Sequence, residues 1–355
     1  MTRTVLCFVS ALCGSVAFAQ QPRIVNAKLE TRPVAAGLER EFRAIVAAQT
    51  APAWIGYAVP AVAGEHNMCC YNSRYCCAGC SLEGEAASRR DATGAAGPIP
   101  LERTHLVVLF RAEQQAVEKI RNFSLECELD AGGLPFYWLT GVRPAESIAL
   151  LTTYATAPET TTARGRDRTR EPAVSAIALH ADAAADQTLE QFVSAGQPES
   201  LRQRAAFWLG SARGRRGYQV LERLVRDDPS DRVREKAIFA LSVSKEPEAL
   251  DTMIGVARND KSPRVRGQAL FWLAHKAGQK ASSAITDAIA NDPEASVKKR
   301  AVFALSQLPK EEGVRLLIEV ARTNRNPLVR KDAIFWLGQS RDPRALDFLE
   351  EILRR

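Results

Sequence analysis

Histidine and methionine are scarce in this chain of 355 residues, with only four and three copies. No His-Glu dipeptide occurs, and of His66, His105, His180 and His275 only the last two fall in the second half. Nor is there a serine elbow, a phosphate-binding glycine loop or a paired acid and base set, so the common enzyme classes lack their residues. Beyond the first twenty residues no apolar run approaches the roughly 20 residues that a membrane span needs. No basic cluster is interleaved with aromatics, which argues against nucleic acid as a partner. Nothing in the sequence implies a cofactor.

What is present fits an exported protein of two parts. The composition, 46% hydrophobic and 25% charged, is that of a folded chain long enough for two cores. Residues 1–19 read as a secretory signal, with Arg3, an apolar run from Val5 to Phe18, and small residues at Ala17 and Ala19. The chain is then expected in the periplasm or outside the cell. Cys69, Cys70, Cys76, Cys77, Cys80 and Cys127 remain after such a cleavage, an even number that favours disulfides of undetermined connectivity. In a reducing compartment His66 with Cys69, Cys77 and Cys80 would instead read as a zinc or copper site, so an enzyme or metal-binding protein with a site in this loop is the alternative.

The second half repeats. Phe207, Phe239, Phe271, Phe303 and Phe335 are spaced by 32 residues, and Ala205, Ala237, Ala269, Ala301 and Ala333 keep the same register. A period of that length means a solenoid. Each unit holds two helical patterns, the first as in Leu221, Leu224 and Val225, the second as in Val233, Ala237, Ala240 and Leu241. Residues 173–355 are therefore expected to form an α-solenoid of helix pairs with one continuous core. Residues 155–172, almost without large apolar side chains, read as a flexible linker. Residues 20–154 read as a small α+β domain: a helix carrying Leu38, Phe42 and Ile45, a strand Trp54–Val59, and a hairpin of Leu106–Ala112 with Val117–Leu125. A second hairpin is expected about Ala131-Gly132-Gly133, and a helix from Pro144 to about Leu151.

The units resemble HEAT repeats of the short class named after phycobilisome lyases. The likeness lies in segments such as Asn326-Pro327-Leu328-Val329-Arg330, followed by Ala333-Ile334-Phe335-Trp336-Leu337-Gly338, and covers about half the chain. The resemblance implies a binding scaffold. Deoxyhypusine hydroxylase belongs to the same class and holds iron through His-Glu pairs, which this chain lacks; lyase activity would need an intracellular chromophore pathway. Neither activity is expected here.

Two sets of register positions invite a role. Arg234, Arg266, Lys298 and Arg330 each follow Asp228, Asp260, Asp292 or Asn324 by six residues, and are expected to form a ladder tying neighbouring units. The five phenylalanines fall opposite the core side of the second helix, at about 100° per residue. They are expected to form an aromatic ridge on the concave face, where a protein or peptide partner would dock. Rings that merely pack on one another would be the plainer outcome. Trp208, Trp272 and Trp336 lie nearer the core side and read as packing residues. The second half carries 30 Lys and Arg against 24 Asp and Glu, an excess that suits an acidic partner or an anionic surface, though a solvated outer face with both signs mixed is the plainer reading.

Overall fold

The computed structural model describes residues 21–64, 80–83, 104–158 and 168–354. The signal-like segment, His66, Cys69, Cys70, Cys76, Cys77 and most of the stretch read as a linker lie outside them.

The first part is a five-stranded mixed sheet in the order β2-β8-β3-β5-β6, built from β2 (Lys28–Pro33), β8 (Pro135–Thr140), β3 (Ala53–Pro60), β5 (His105–Glu113) and β6 (Ala116–Ser124). Period-two alternation sorts its side chains. Ile55, Tyr57, Leu106, Val108 and Phe110 face α1 (Leu38–Ala48) and α2 (Pro144–Ala155), in the main core. Trp54, Val107, Leu109, Phe136 and Trp138 face the other way, onto a small sheet of β1 (Ile24–Val25), β7 (Leu129–Asp130) and β4 (Cys80–Ser81). Gly56 sits where a Cβ would meet Leu109 Cδ2 at 2.5 Å, so that layer tolerates no side chain there.

The β5–β6 hairpin forms as expected, with Gln114 and Gln115 taking the positive φ of a tight turn. The second expected hairpin does not form. Gly132 and Gly133 do turn the chain, yet β7 pairs in parallel with β1 and β4 in the small sheet, while β8 pairs in parallel with β2 and β3 in the large one. Buried side chains on both faces of β8 (Phe136, Trp138, Leu139) demand a central position, which no hairpin at an edge would give.

The second part is a stack of antiparallel helices: α3 (Arg170–Leu179), α4 (Ala183–Phe192), α5 (Glu199–Ala212), α6 (Gly214–Asp227), α7 (Asp231–Val243), α8 (Ala249–Asn259), α9 (Pro263–Ala277), α10 (Ser282–Asn291), α11 (Ala295–Ser306), α12 (Lys310–Thr323), α13 (Pro327–Gln339) and α14 (Pro343–Leu353). The odd-numbered row from α5 to α13 is drawn together far more tightly than α6, α8 and α10. Small residues allow this: a Cβ on Gly210 would lie 2.2 Å from the Ala240 carbonyl oxygen. Tighter spacing on one layer curves the stack, and places the odd-numbered helices on its inner side.

The 155–172 stretch contributes more structure than its composition promised. Ala155 ends α2, Arg170 begins α3, and Ala173, Val174 and Ile177 of α3 join sheet and solenoid in one apolar core. The reason is register: Ala173 and Ile177 stand 32 residues before Ala205 and Leu209, so α3 is the first inner helix of the stack.

Candidate functional site

The charged register positions form the expected ladder, with a geometry that spacing alone did not reveal. Each arginine bonds the aspartate 26 residues ahead, in the next unit: Arg202 Nε to Asp228 at 2.9 Å, Arg234 Nε to Asp260 at 2.9 Å, Arg266 Nε to Asp292 at 2.8 Å. The second fork nitrogen completes each pair at 3.2, 3.0 and 2.9 Å. The third reaches a carbonyl of its own unit, as in Arg234 Nη1 to Asp228 O at 2.8 Å and Arg266 Nη1 to Asp260 O at 2.9 Å. The aspartates in turn accept the backbone N–H groups of Ser230, Ser262 and Glu294 at helix starts. These pairs are buried, and hydrogen bonds to Asp260 and Asp292 hold the Arg234 and Arg266 guanidiniums above their usual range despite that burial. The next rung is different. Lys298 stands where Arg would reach Asn324, and its Nζ instead donates to Ala290 O at 2.7 Å.

The aromatic register positions also come together. All five phenylalanines lie on the inner helices, four of them half-buried and Phe335 56% exposed, so none is sealed in the core. They do pack on one another, and the tryptophans link them. Ring centroids follow in order Trp208, Phe207, Phe239, Trp272, Phe271, Phe303, Trp336, Phe335, at 5.2, 5.8, 4.7, 4.9, 5.8, 4.8 and 5.1 Å. Phe207 and Phe239 are stacked at 12° and Phe271 and Phe303 at 9°. The tryptophans thus belong to the ribbon itself. A chain alternating Phe and Trp contacts needs one Trp every second unit, which is the spacing of Trp208, Trp272 and Trp336.

The register predicts a sixth ribbon slot on α3, and there the residue is Ser175. The chain closes that slot itself. Asn122 Nδ2, from edge strand β6, donates to Ser175 Oγ at 2.7 Å and to Pro172 O at 2.8 Å, and Ile120 N donates to Arg168 O at 2.9 Å. Asn122, which fits a glycosylation sequon, is thereby committed to an internal contact.

A buried polar chain locks the same junction. His180 Nε2 lies 2.8 Å from Ser147 Oγ, Ser147 Oγ lies 2.8 Å from Tyr57 Oη, and His180 Nδ1 lies 2.7 Å from Ala176 O. All three side chains are inaccessible. Burial lowers the His180 imidazole to about 4 and raises the Tyr57 phenol, so both are neutral at physiological pH. A serine beside a histidine with no route for substrate is a structural link. Backbone bonds from Val62 N to Leu179 O and from Ala181 N to Pro60 O, both 2.9 Å, reinforce it.

Cys80 and Cys127 are buried in the small core with Leu82 and Leu129. Among the described residues no group of three or more His, Cys, Asp or Glu could hold a metal ion, and no helix is long and apolar enough to cross a membrane.

On one side of the ribbon, between α11, α12 and α13, lies a cavity of about 250 Å³. Leu308, Val314, Leu317 and Trp336 give it an apolar lining; Ser306, Gln307, Gln339 and Lys310 lie at its polar margin. Sequence reading missed it, because its lining meets from the C-terminal ends of α11 and α13 and the first turns of α12, segments brought together only by packing across units.

Comparison with known proteins agrees with the helix stack. No curated protein matches the chain. Of the solved structures that match, human deoxyhypusine hydroxylase in complex with glycerol is 18% identical, over 60% of this chain and 80% of its own, with a TM-score of 0.32. The complex of CpcE and CpcF of phycocyanin lyase from Nostoc sp. PCC7120 is 25% identical, over 44% of this chain and 99% of that one, with a TM-score of 0.33. Kap121p is 14% identical, over 59% and 27%, with a TM-score of 0.36. At such scores the likeness says nothing of activity. The family model for HEAT repeats matches residues 187–274 and 282–355, and the C-terminal half of this chain is a HEAT-repeat array.

Proposed function

We propose that this protein is a non-catalytic binding scaffold of the bacterial cell envelope, and that a protein or peptide partner docks along the ribbon of Phe207, Phe239, Phe271, Phe303 and Phe335. One observation carries this reading. The stack offers the same slot on six successive inner helices; the first, at Ser175, is filled by a strand edge of the protein itself, and the next five carry rings left open to solvent. A continuous row of eight contacting rings, each with some solvent access, is the kind of apolar strip that marks an interaction surface. The envelope location rests on the signal-like segment at residues 1–19, and export would favour oxidised cysteines in the small domain.

The test is selection of random 16-residue peptides on the full chain, followed by binding to a variant carrying Phe303→Gln and Phe335→Gln. Selected peptides should lose at least tenfold in affinity while the melting temperature of the variant stays within a few degrees. Peptides that bind the variant unchanged would remove the ribbon from the binding face.

A further inference from the structure

We infer that the partner segment is acidic and extended, with carboxylates along one edge of the ribbon and a large apolar side chain seated in the cavity beside Trp336. This rests on the ribbon being the docking face. The two edges of the ribbon differ in charge. One helical turn before the rings stand Lys236, Lys299, Arg300 and Lys331, for which no ion pair is found among the described residues; Asp332 and the Arg264-paired Glu235 share that turn, so the edge keeps a net positive charge. By contrast, Arg232 of α7 and Arg264 of α9 are engaged with Glu199 and Glu235. Lys236 Nζ lies 4.9 Å from the Phe239 ring centroid and 5.6 Å from that of Phe207, so its charge overhangs the ribbon. One turn after the rings stand Ser211, Val243, His275, Gln307 and Gln339, an edge with no carboxylate, and the cavity opens at its C-terminal end.

The rings add to the preference. Phe239 and Phe303 each have an aromatic neighbour on either side along the ribbon, so their edges, which carry the positive part of the ring quadrupole, are what a partner meets. Stacking of sugar rings needs free aromatic faces, and at Phe239 and Phe303 neighbouring rings lie on both sides. Carboxylate and carbonyl oxygens suit ring edges and ammonium groups alike. The cavity exceeds the roughly 150 Å³ that accepts benzene in an engineered core, so it admits a phenyl or isobutyl group. Lys310 at its margin is placed for a carboxylate neighbouring the anchor.

An extended chain puts successive side chains on opposite sides, which matches one basic edge and one neutral edge. Four inter-helix steps of about 9 Å make the ribbon about 36 Å long, or about eleven extended residues.

Fluorescence anisotropy on the full chain decides this with defined probes. They are a twelve-residue peptide alternating Glu with Leu and carrying one central Phe, its Gln-for-Glu counterpart, the Phe→Ala version of the acidic peptide, and sulfated dextran. The acidic peptide should bind at least tenfold tighter than the Gln peptide, weaken steeply with salt, and lose its advantage on a variant carrying K236Q, K299Q, R300Q and K331Q. Gln339→Trp, which fills the cavity mouth, should weaken the Phe peptide about tenfold and leave the Phe→Ala peptide unchanged. If Glu and Gln peptides bind equally, and both are lost with Phe303→Gln and Phe335→Gln, the acidic inference falls while the ribbon stands. Binding of sulfated dextran but no peptide overturns the proposal in favour of a polyanionic glycan, and binding of nothing overturns both readings.

Discussion

The two ends of the helix stack are built from the same repeat and finished differently. From α5 to α11 every step is tied by a buried, bidentate Arg–Asp pair, and at α3 the sheet edge and the His180–Ser147–Tyr57 chain close the stack. At α11 to α13 the pair is replaced by Lys298 and Asn324, which do not meet, and a cavity opens beside the most exposed ring. Rigidity and access are thus divided along one axis. The ladder runs beside the loops of the inner helices and the ribbon runs along their solvent side, so each can change without the other.

Mutations that break this contrast should differ most at the ladder. Arg234→Met strands Asp260 in a buried site and should cost about 3–5 kcal/mol in urea unfolding, whereas Arg330→Met, which loses bonds to the Asn324 and Arg325 carbonyls and strands no charge, should cost about 1 kcal/mol. Equal losses would mean the two ends are held alike.

The sheet junction should respond to acid. The folded His180 imidazole titrates near 4, below its unfolded value of about 6.5, so the unfolded chain takes up the proton first as pH falls. Its contribution is complete above about 6.5, declines through the window down to about 4, and amounts to about 3 kcal/mol. His180→Gln should flatten the stability profile in that window. A profile unchanged by the substitution would mean another group controls it.

Completing the ladder sharpens the comparison in the other direction. Lys298→Arg with Asn324→Asp should stabilise the protein by about 1 kcal/mol and slow amide exchange in α12 and α13. A smaller difference is expected along the ribbon: Phe239→Ser, which loses ring contacts on both sides, should cost about 1–2 kcal/mol, and the exposed Phe335→Ser less than about 0.5 kcal/mol. Thermal unfolding of the two variants side by side measures it.

Much of this was legible because repetition amplifies weak signals. One Phe opposite a helix's core side says little; five in register define a ribbon. The ladder was legible as residues but not as partners, since spacing shows the six-residue step within a unit and hides the 26-residue step to the next. The Gly132-Gly133 turn misled for a related reason: it fixes where the chain reverses, not which strand it joins. What stayed hidden depends on single contacts across distant segments, such as Asn122 with Ser175 or His180 with Ser147, for which sequence periodicity carries no trace.

Amide exchange of the full chain with and without the acidic twelve-residue peptide tests the central claim most directly. The account predicts new protection in α5, α7, α9, α11, α12 and α13, along Phe207 to Phe335 and around the Trp336 cavity, with α6, α8 and the five-stranded sheet unchanged. Protection confined to the outer helices or to the sheet would contradict it.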